Sequence, residues 1–411
     1  MNSTNKLKIF NDPIYGFITI PNTLIYDLIQ HPYFQRLRRI SQMGMSYLVY
    51  PGAHHTRFHH ALGCMHIMQK AVQTLRFKGV LISDEEENAL YIAILLHDIG
   101  HGPFSHAMEH SIVEDIHHEE ISLLFMNALN NEFEEKLSLA IQIFKGEYHR
   151  KFMLQLISSQ LDMDRMDYLK RDSFYSGVAE GNINSDRLIQ MMNVQDDVLV
   201  IEEKGIFSVE KFLVARRLMY WQAYLHKTSV VAELTLTKIL KRAKELTQKG
   251  IQLPCSEPLS YFLSNKISTA DFDNIALKTF ALLDDYDVMG AIKAWQFNED
   301  FVLSSLSKMI INRDLLKITM LDEKPNSEKL EEFKNKIAAL YHISDKDAAY
   351  FVFKGKLKNQ AYNKESEPIS ILKKDKTVEN IVDSTDQLQV KALSKAVTKY
   401  FICFPKVLLE A

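Results

Sequence analysis

Disulfide chemistry has little to work with in this sequence. Cys64, Cys255 and Cys403 are odd in number and far apart. That speaks against a disulfide framework or a cysteine-type zinc site, and a reducing, cytoplasmic setting is expected. An excess of one charge is also missing. Lys and Arg total 49 against 52 Asp and Glu, a formal net charge of −3. No overall basic field therefore draws in nucleic acid or anionic lipid, and neither is expected as a partner. Any anionic ligand must be held by a local group of Arg and Lys. No apolar run of the roughly 20 residues needed to span a bilayer is present, and MNSTNKLKIF carries no signal-peptide core. There is no internal repeat and no low-complexity tract. The remainder, 46% apolar and 25% charged over 411 residues, is ordinary for a globular chain with one large core and smaller lobes.

What is abundant is histidine in one place. Eleven of the fifteen histidines lie between His54 and His118. Within that span, His97-Asp98-Ile99-Gly100-His101-Gly102-Pro103-Phe104-Ser105-His106 follows an apolar stretch, Ala89 to Leu96, that reads as a buried helix. Burying an ionised carboxylate beside an imidazole is costly unless a cation or hydrogen bonds compensate. The pair therefore points to a metal. A divalent ion takes imidazole and carboxylate ligands converging from different elements. His97 and Asp98 supply two, and His60, at the start of a helix, offers a third. The Asp-rich segment Leu161 to Tyr168 offers a fourth, with Asp164 and Asp167 on roughly one side of a helix. Taken singly, each residue has an ordinary structural explanation.

Hydrophobic periodicity predicts a mainly α fold. A short β-ribbon is expected over 7–20, and helices over 24–42, 61–77, 86–98, 118–130, 135–144, 151–159 and 208–247. Acidic Asp84 to Glu87 suits a helix start, and Gly100 with Gly102-Pro103 suits its end. A small hairpin is expected at 196–207, and helices resume after Pro258 to about residue 343. FVFKGKL, PISILKK and KYFICFP read as strands, with a helix at about 384–397. The expected division is an N-terminal ribbon (1–21), a helical core (22–250), a helical extension (251–343) and a small C-terminal α+β lobe (344–411).

The order H…HD…D, with His60, His97-Asp98 and Asp164, resembles the HD-domain metal-dependent phosphohydrolases. The stretches DPIYGFITI, FQRLRRISQMGMSYLVYPGAHHTRFHHALG, HDIGHGPFSH, HHEE and LDMDRMDYLKRD narrow the likeness. They resemble the deoxynucleoside triphosphate triphosphohydrolases, which include bacterial dGTPase-like enzymes and the catalytic domain of the human sterile-alpha-motif and HD enzyme. The resemblance runs over about residues 8–230 and returns near the C-terminus, in QAYNKESEPISILKKDKTVENIVDSTDQLQ and KYFICFPK.

The resemblance implies an HD helical core in which His60, His97, Asp98 and Asp164 hold one divalent metal, Mg, Mn, Fe, Co or Zn. It implies attack at the α-phosphorus with release of inorganic triphosphate. His101, His106 and His118 match catalytic histidines, with Glu119 able to orient a neighbour; His106 is favoured as general acid. Arg57 matches a phosphate-contacting Arg, Arg165 stands where the family has Lys, and Arg216 aligns by counting back from Tyr224. Tyr168 and Asp172 match residues at the sugar and phosphate end, with Gln42 as a second sugar contact. Tyr224 matches a tyrosine that leaves no room for a 2′-hydroxyl. Tyr220 departs from the human enzyme's histidine.

The implied ligands are deoxynucleoside triphosphates, and a homo-oligomer, dimer or tetramer, is expected. Activator residues of the human enzyme have no clear counterparts around 196–215, so GTP activation is not carried over and a nucleotide effector is left open. Two alternatives stand beside this reading. One is an HD phosphohydrolase for another nucleotide phosphate ester, and the other is a nucleotide- or nucleic-acid-binding regulator.

Overall fold

The computed structural model describes residues 8–104, 106–109, 111–113, 116–268, 272–363, 368–385 and 393–409. Helices dominate, as the periodicity predicts, and among the described residues three small sheets sit around them. At the N-terminus, strands β1 (Ile9–Asp12) and β2 (Gly16–Thr19) pair antiparallel as the expected ribbon. Asp12 shapes its turn by accepting from the N–H groups of Ile14 (2.9 Å) and Tyr15 (3.0 Å). The ribbon is tied into the core, because the other Asp12 oxygen accepts from buried Arg171 at 2.7 Å.

Three helices, Arg57–Phe77, Asp84–Leu96 and Met163–Ser176, form the frame of the site, the first packing against the other two. Asp84–Leu96 opens with a reciprocal cap: Glu86 N–H donates to Ser83 Oγ (3.1 Å) and Ser83 N–H to Glu86 Oε2 (2.8 Å). Every residue from Ala89 to Leu96 is buried, so burial of its whole last two turns fixes where His97 and Asp98 emerge. Met163–Ser176 starts at an Asp162 cap and stops at Gly177, which takes a left-handed φ of 73°.

Several local expectations are corrected. The stretch 24–42 is not one helix: Thr23–Gln30 ends at His31, and Pro32 begins a separate short turn because it lacks the N–H needed to continue. The stretch 208–247 breaks as well. Ile206–Met219 passes into a π-helical turn, Tyr220–Tyr224, and a new helix, Lys227–Gln248, starts after an extended His226. The hairpin begins earlier than expected, with β3 (Met192–Gln195) and β4 (Val198–Glu202) joined by Asp196-Asp197, both at positive φ.

Five more strands follow: β5 (Lys317–Leu321), β6 (Phe353–Asn359), β7 (Ser370–Leu372), β8 (Val378–Asn380) and β9 (Val397–Phe404). β5 lies in the stretch expected to be helical; its burial alternates from Lys317 to Thr319 and it pairs with β9, which also pairs with β6. β7 adds in parallel to β4 and pairs with β8, so the C-terminal chain extends the core hairpin into a four-stranded sheet. Of the helix expected at 384–397, residues 386–392 lie outside the described residues; the turn Ile381–Ser384 precedes them and β9 starts at Val397. Among the described residues, no helix is long and apolar enough to cross a membrane.

Candidate metal centre and substrate cavity

His60 sits in the first turn of Arg57–Phe77, fully buried. The turn is capped by Thr56, whose N–H donates to His59 Nδ1 at 3.2 Å. His60 Nδ1 faces Asp167 Oδ2 at 2.8 Å, and Asp167 accepts from Arg171 at 2.8 and 3.0 Å. A carboxylate accepts only, so it holds the proton on Nδ1 and leaves the Nε2 lone pair to face inward. The chain His60–Asp167–Arg171–Asp12 thus runs from the centre to the ribbon, buried throughout. Gly63 makes it fit: a Cβ there would lie 2.0 Å from Asp167 Oδ1 and 2.3 Å from an Arg171 nitrogen.

His97 is oriented by the same logic. Its Nδ1 lies 2.6 Å from the Ile94 carbonyl, which can only accept, so Nε2 carries the lone pair. That Nε2 is buried without a hydrogen-bond partner among the described residues, 3.4 Å from Asp98 Oδ1 and 3.6 Å from Asp164 Oδ1. His60 Nε2 lies 3.0 Å from Asp164 Oδ1 and 3.7 Å from Asp98 Oδ2. Two imidazole lone pairs and two carboxylates therefore converge from three helices. His60, His97 and Asp164 lie, with Cys64, close enough to share one ion, and Asp98 groups with His101 and His118 beside them; imidazole and carboxylate donors of this kind suit a divalent first-row ion or Mg²⁺. Burial opposes the charged form of Asp98, but His97, Arg57 and His101 hold its carboxyl well below the usual carboxylate range. Asp164 is held low against burial by His60 and His97. Cys64 Sγ lies 3.5 Å from His60 Nδ1, but burial pushes its thiol up, so it stays neutral.

Around the centre, Arg57 donates to Asp98 Oδ2. His101 Nε2 lies 3.3 Å from Asp98 Oδ1, and its ring stacks on His118 at 3.9 Å and 18°. Burial, with the Arg57 charge, pushes His101 down to about 3. The stack depends on Gly100, where a Cβ would meet the His118 carbonyl at 2.2 Å. Gly100 N–H donates to Ser122 Oγ, which donates to the His97 carbonyl (2.9 and 2.7 Å). His118 Nε2 lies 3.5 Å from Glu119, which is largely exposed. His106 opens the short helix His106–Glu109; its side chain lies outside the described residues.

From this centre a cavity of about 530 Å³ opens, within the usual range for small-molecule sites. Arg57, Asp98, His101, His118 and Asp164 form its charged end; Gln42, Tyr168, Asp172, Tyr220 and Tyr224 form a ring-lined end, and Arg165 lines it too. Arg165 Nε donates to the Ser159 carbonyl at 2.5 Å and is paired with Asp162 at 3.2 Å. Asp172 is clamped from both sides, accepting from Tyr224 Oη at 2.8 Å and facing His55 Nε2 at 2.7 Å. Gln42 Oε1 and Tyr168 Oη are buried without hydrogen-bond partners among the described residues. Arg216 is not among the lining residues; it donates to Gln160 at 3.1 Å.

The structure adds residues that the sequence did not single out. His55, stacked on Tyr175 at 4.3 Å, orients Asp172; its only signal was membership of the histidine cluster. Asp285 caps two pocket loops at once. Its buried carboxylate accepts from Ser41 N–H (2.8 Å), beside Gln42, and from Phe104 N–H (2.9 Å). Phe104 lines the cavity with φ of 48°, a conformation that a bulky side chain adopts only when its surroundings impose it. Nothing in the sequence near Asp285 announces this role.

Residues 57–172 match the HD domain, and residues 183–253 match an HD associated region. A crystal structure of a phosphohydrolase from Bacteroides thetaiotaomicron superposes with a TM-score of 0.94 at 50% identity, covering 97% of this chain and all of that one. The uncharacterized protein YwfO of Bacillus subtilis is 33% identical over 98% of this chain and 93% of its own length. The deoxynucleoside triphosphate triphosphohydrolase SAMHD1 homolog of Dictyostelium discoideum is 29% identical over 61% of this chain, which spans about half (52%) of that relative's length.

Proposed function

This chain belongs to the HD-domain family of dNTPase-like phosphohydrolases, and from that premise we propose that it hydrolyses deoxynucleoside triphosphates to deoxynucleoside and inorganic triphosphate. The observation that carries the proposal is the clamped Asp172 in the same cavity that the metal donors Asp98 and Asp164 line. A carboxylate fixed by Tyr224 and His55 accepts a hydrogen bond from a sugar hydroxyl, with Gln42 Oε1 as a second acceptor beside it. The Tyr224 ring then occupies the space a 2′-hydroxyl would need. Arg57, beside Asp98, and Arg165 supply the local cations that a chain of net charge −3 must have to bind a triphosphate.

His60, His97, Asp98 and Asp164 are the residues that would hold a divalent ion, whose identity is left open among Mg, Mn, Fe, Co and Zn. When bound, such an ion supplies Lewis acidity to a phosphoryl oxygen and lowers the pKa of water. The chain's own work is then to orient the α-phosphorus over that centre and to keep the triphosphate leaving group in contact with Arg57. His106 is carried as the general acid for the leaving oxygen, supported by His101 and by His118 with Glu119. The proposed assembly is a homo-oligomer; exposed Phe77, Leu81, Phe207 and Phe297 are apolar groups available to it.

Incubating purified protein and Mn²⁺ with each dNTP and NTP, singly and in mixtures, tests the reaction by chromatography of the products. Deoxynucleoside plus triphosphate is the expected pair. Monophosphate plus pyrophosphate, or no turnover of any dNTP by metal-loaded protein, would overturn the proposal.

A further inference from the structure

Arg36 and Arg171 are both fully buried, and their charges are met differently. Arg171 is neutralised by Asp167 and Asp12. Arg36 forms no ion pair among the described residues. The acids whose field reaches it, Asp284 and Asp285, are engaged elsewhere. Asp284 accepts from Arg39 and from Tyr286 N–H (2.9 Å), while Asp285 accepts from Ser41 and Phe104. Arg36 donates instead to two carbonyls, Ile99 at 2.7 Å and Leu283 at 3.2 Å. Its guanidinium lies over the rings of Phe125 (5.5 Å) and Phe280 (5.1 Å). Burial pushes it down to about 9, against the pull of Asp284, so it stays charged at neutral pH. Burying a cation on carbonyls and ring faces alone is costly, and an apolar side chain would fill the same space with a smaller penalty. Packing alone therefore does not account for a cation here.

The two carbonyls identify what it holds. Ile99 follows the metal donor Asp98 in the turn that closes the Asp84–Leu96 helix, where Ile99 N–H still donates to the Leu96 carbonyl at 3.1 Å. That helix carries four acids in its first turn and no basic residue in its last. The carbonyls at its C-terminal end lie at the negative end of the dipole, and their cation comes from Arg36, far away in sequence. Ser122 bonds the same turn at the His97 carbonyl and Gly100 N–H. Leu283 directly precedes Asp284 and Asp285, and Asp285 holds the loops of Ser41 and Phe104. Phe280 packs on the same turn, since a Cβ at Gly102 would come within 3.2 Å of its ring. We infer that Arg36 is a positioning residue for the metal donor Asp98: its fork fixes the carbonyl beside that donor and ties it to the segment that holds the cavity loops. A planar guanidinium presents two donors in fixed geometry and so holds two carbonyls at once, which a single ammonium on a flexible stem does not. Without the fork the turn is held by Ser122 on one side only, and Asp98 loses its register with His60, His97 and Asp164. The metal affinity that follows does not depend on the reaction; only the effect on turnover rests on the proposed function.

Two variants of the full-length protein test this: Arg36→Met, which fills the space without charge, and Arg36→Lys, which keeps the charge without the fork. Mn²⁺ affinity is read by competition with a fluorescent chelator, and folding by the cooperativity of thermal melting of the metal-free protein. Both variants should melt cooperatively. Arg36→Met should lose about tenfold in Mn²⁺ affinity, as when a group that orients a metal ligand is removed, and Arg36→Lys should lose less. At saturating Mn²⁺, kcat for dNTPs should fall about tenfold with KM changed less than about twofold, because reacting groups are misaligned rather than substrate contacts removed. An Arg36→Met variant that folds and binds Mn²⁺ as wild type does would make Arg36 a packing residue and overturn the inference. Affinity lost only in step with cooperative melting would overturn it as well, since the effect would then be unfolding. Wild-type protein that binds Mn²⁺ but turns over no dNTP would sink the proposed reaction, and the affinities would still decide the role of Arg36.

Discussion

The two ends of the catalytic cavity are built on different principles. The charged end is made of His60, His97, Asp98 and Asp164, each held by at least one further polar group, with one line of ion pairs reaching the N-terminal ribbon. The ring end is made of Tyr168, Tyr220 and Tyr224 around Asp172 and Gln42, with ring centroids 5.2 to 6.0 Å apart. Charges in a low-dielectric interior must be satisfied atom by atom, so the first end tolerates no change of type. Rings pack through shape and tolerate volume-conserving changes. The comparison teaches that capacity for chemistry and choice of substrate are separable in this molecule.

The largest expected break is at the charged end. Asp98→Ala or His60→Ala should abolish both metal binding and turnover, checked by metal stoichiometry alongside the product assay. A variant of either kind that keeps one metal per chain would remove that residue from the ligand set. One step out, Asp167→Asn keeps the shape but withdraws the charge facing His60 and Arg171. Metal affinity should fall by about 10- to 100-fold, read by chelator competition. Melting temperature should fall too, because Arg171 is then buried with Asp12 as its one remaining carboxylate. Unchanged affinity with lowered melting temperature would reduce Asp167 to a purely structural role.

The same contrast explains what was legible in the sequence. His97-Asp98 was readable because an apolar helix delivers it, and helix periodicity is local. His60 and Asp164 were readable because their types suit a metal and their order matches a family. Asp167 was named as sharing a helix side with Asp164, and Arg171 lies one turn on, but its partnership with His60 spans over a hundred residues and leaves no local trace. At the ring end, periodicity predicted one helix over 208–247, whereas the π-turn Tyr220–Tyr224 and the break at His226 carry Tyr224 to Asp172. A π-turn costs nothing visible in hydrophobic pattern, so it is invisible until tertiary contacts select it. β5 was missed for a related reason: five residues are too few for period to decide, and its partner β9 lies some eighty residues on.

Asp285 lies between the extremes, holding both Ser41, next to the ring end's Gln42, and Phe104, next to the histidines. Asp285→Asn leaves one carbonyl oxygen for two backbone N–H groups, so one of them loses its partner. That penalty, about 1–3 kcal/mol, should relax the loops. A fall in kcat of about tenfold is expected, with metal stoichiometry unchanged, since pocket geometry shifts while the donors stay. If KM alone rose, Asp285 would serve ground-state binding through the Gln42 loop rather than alignment of the reacting groups.

The smallest effect should come from the ring end, and it is the one that sharpens the contrast most. Tyr224 offers two things: a hydroxyl that fixes Asp172 at 2.8 Å, and a ring that fills space beside it. Tyr224→Phe removes the first and keeps the second. Losing one hydrogen bond to a carboxylate whose other oxygen still faces His55 should cost about 1–2 kcal/mol, so kcat/KM for dNTPs falls roughly 5- to 30-fold. The preference for dNTP over NTP should survive, because the excluded volume is intact. Tyr224→Ala removes both, and there the preference should collapse even though metal binding does not change. If Phe relaxed the preference as far as Ala, sugar choice would depend on the orientation of Asp172 rather than on filled space. The ring end would then obey the same atom-by-atom rule as the charged end, and the distinction between them would fail.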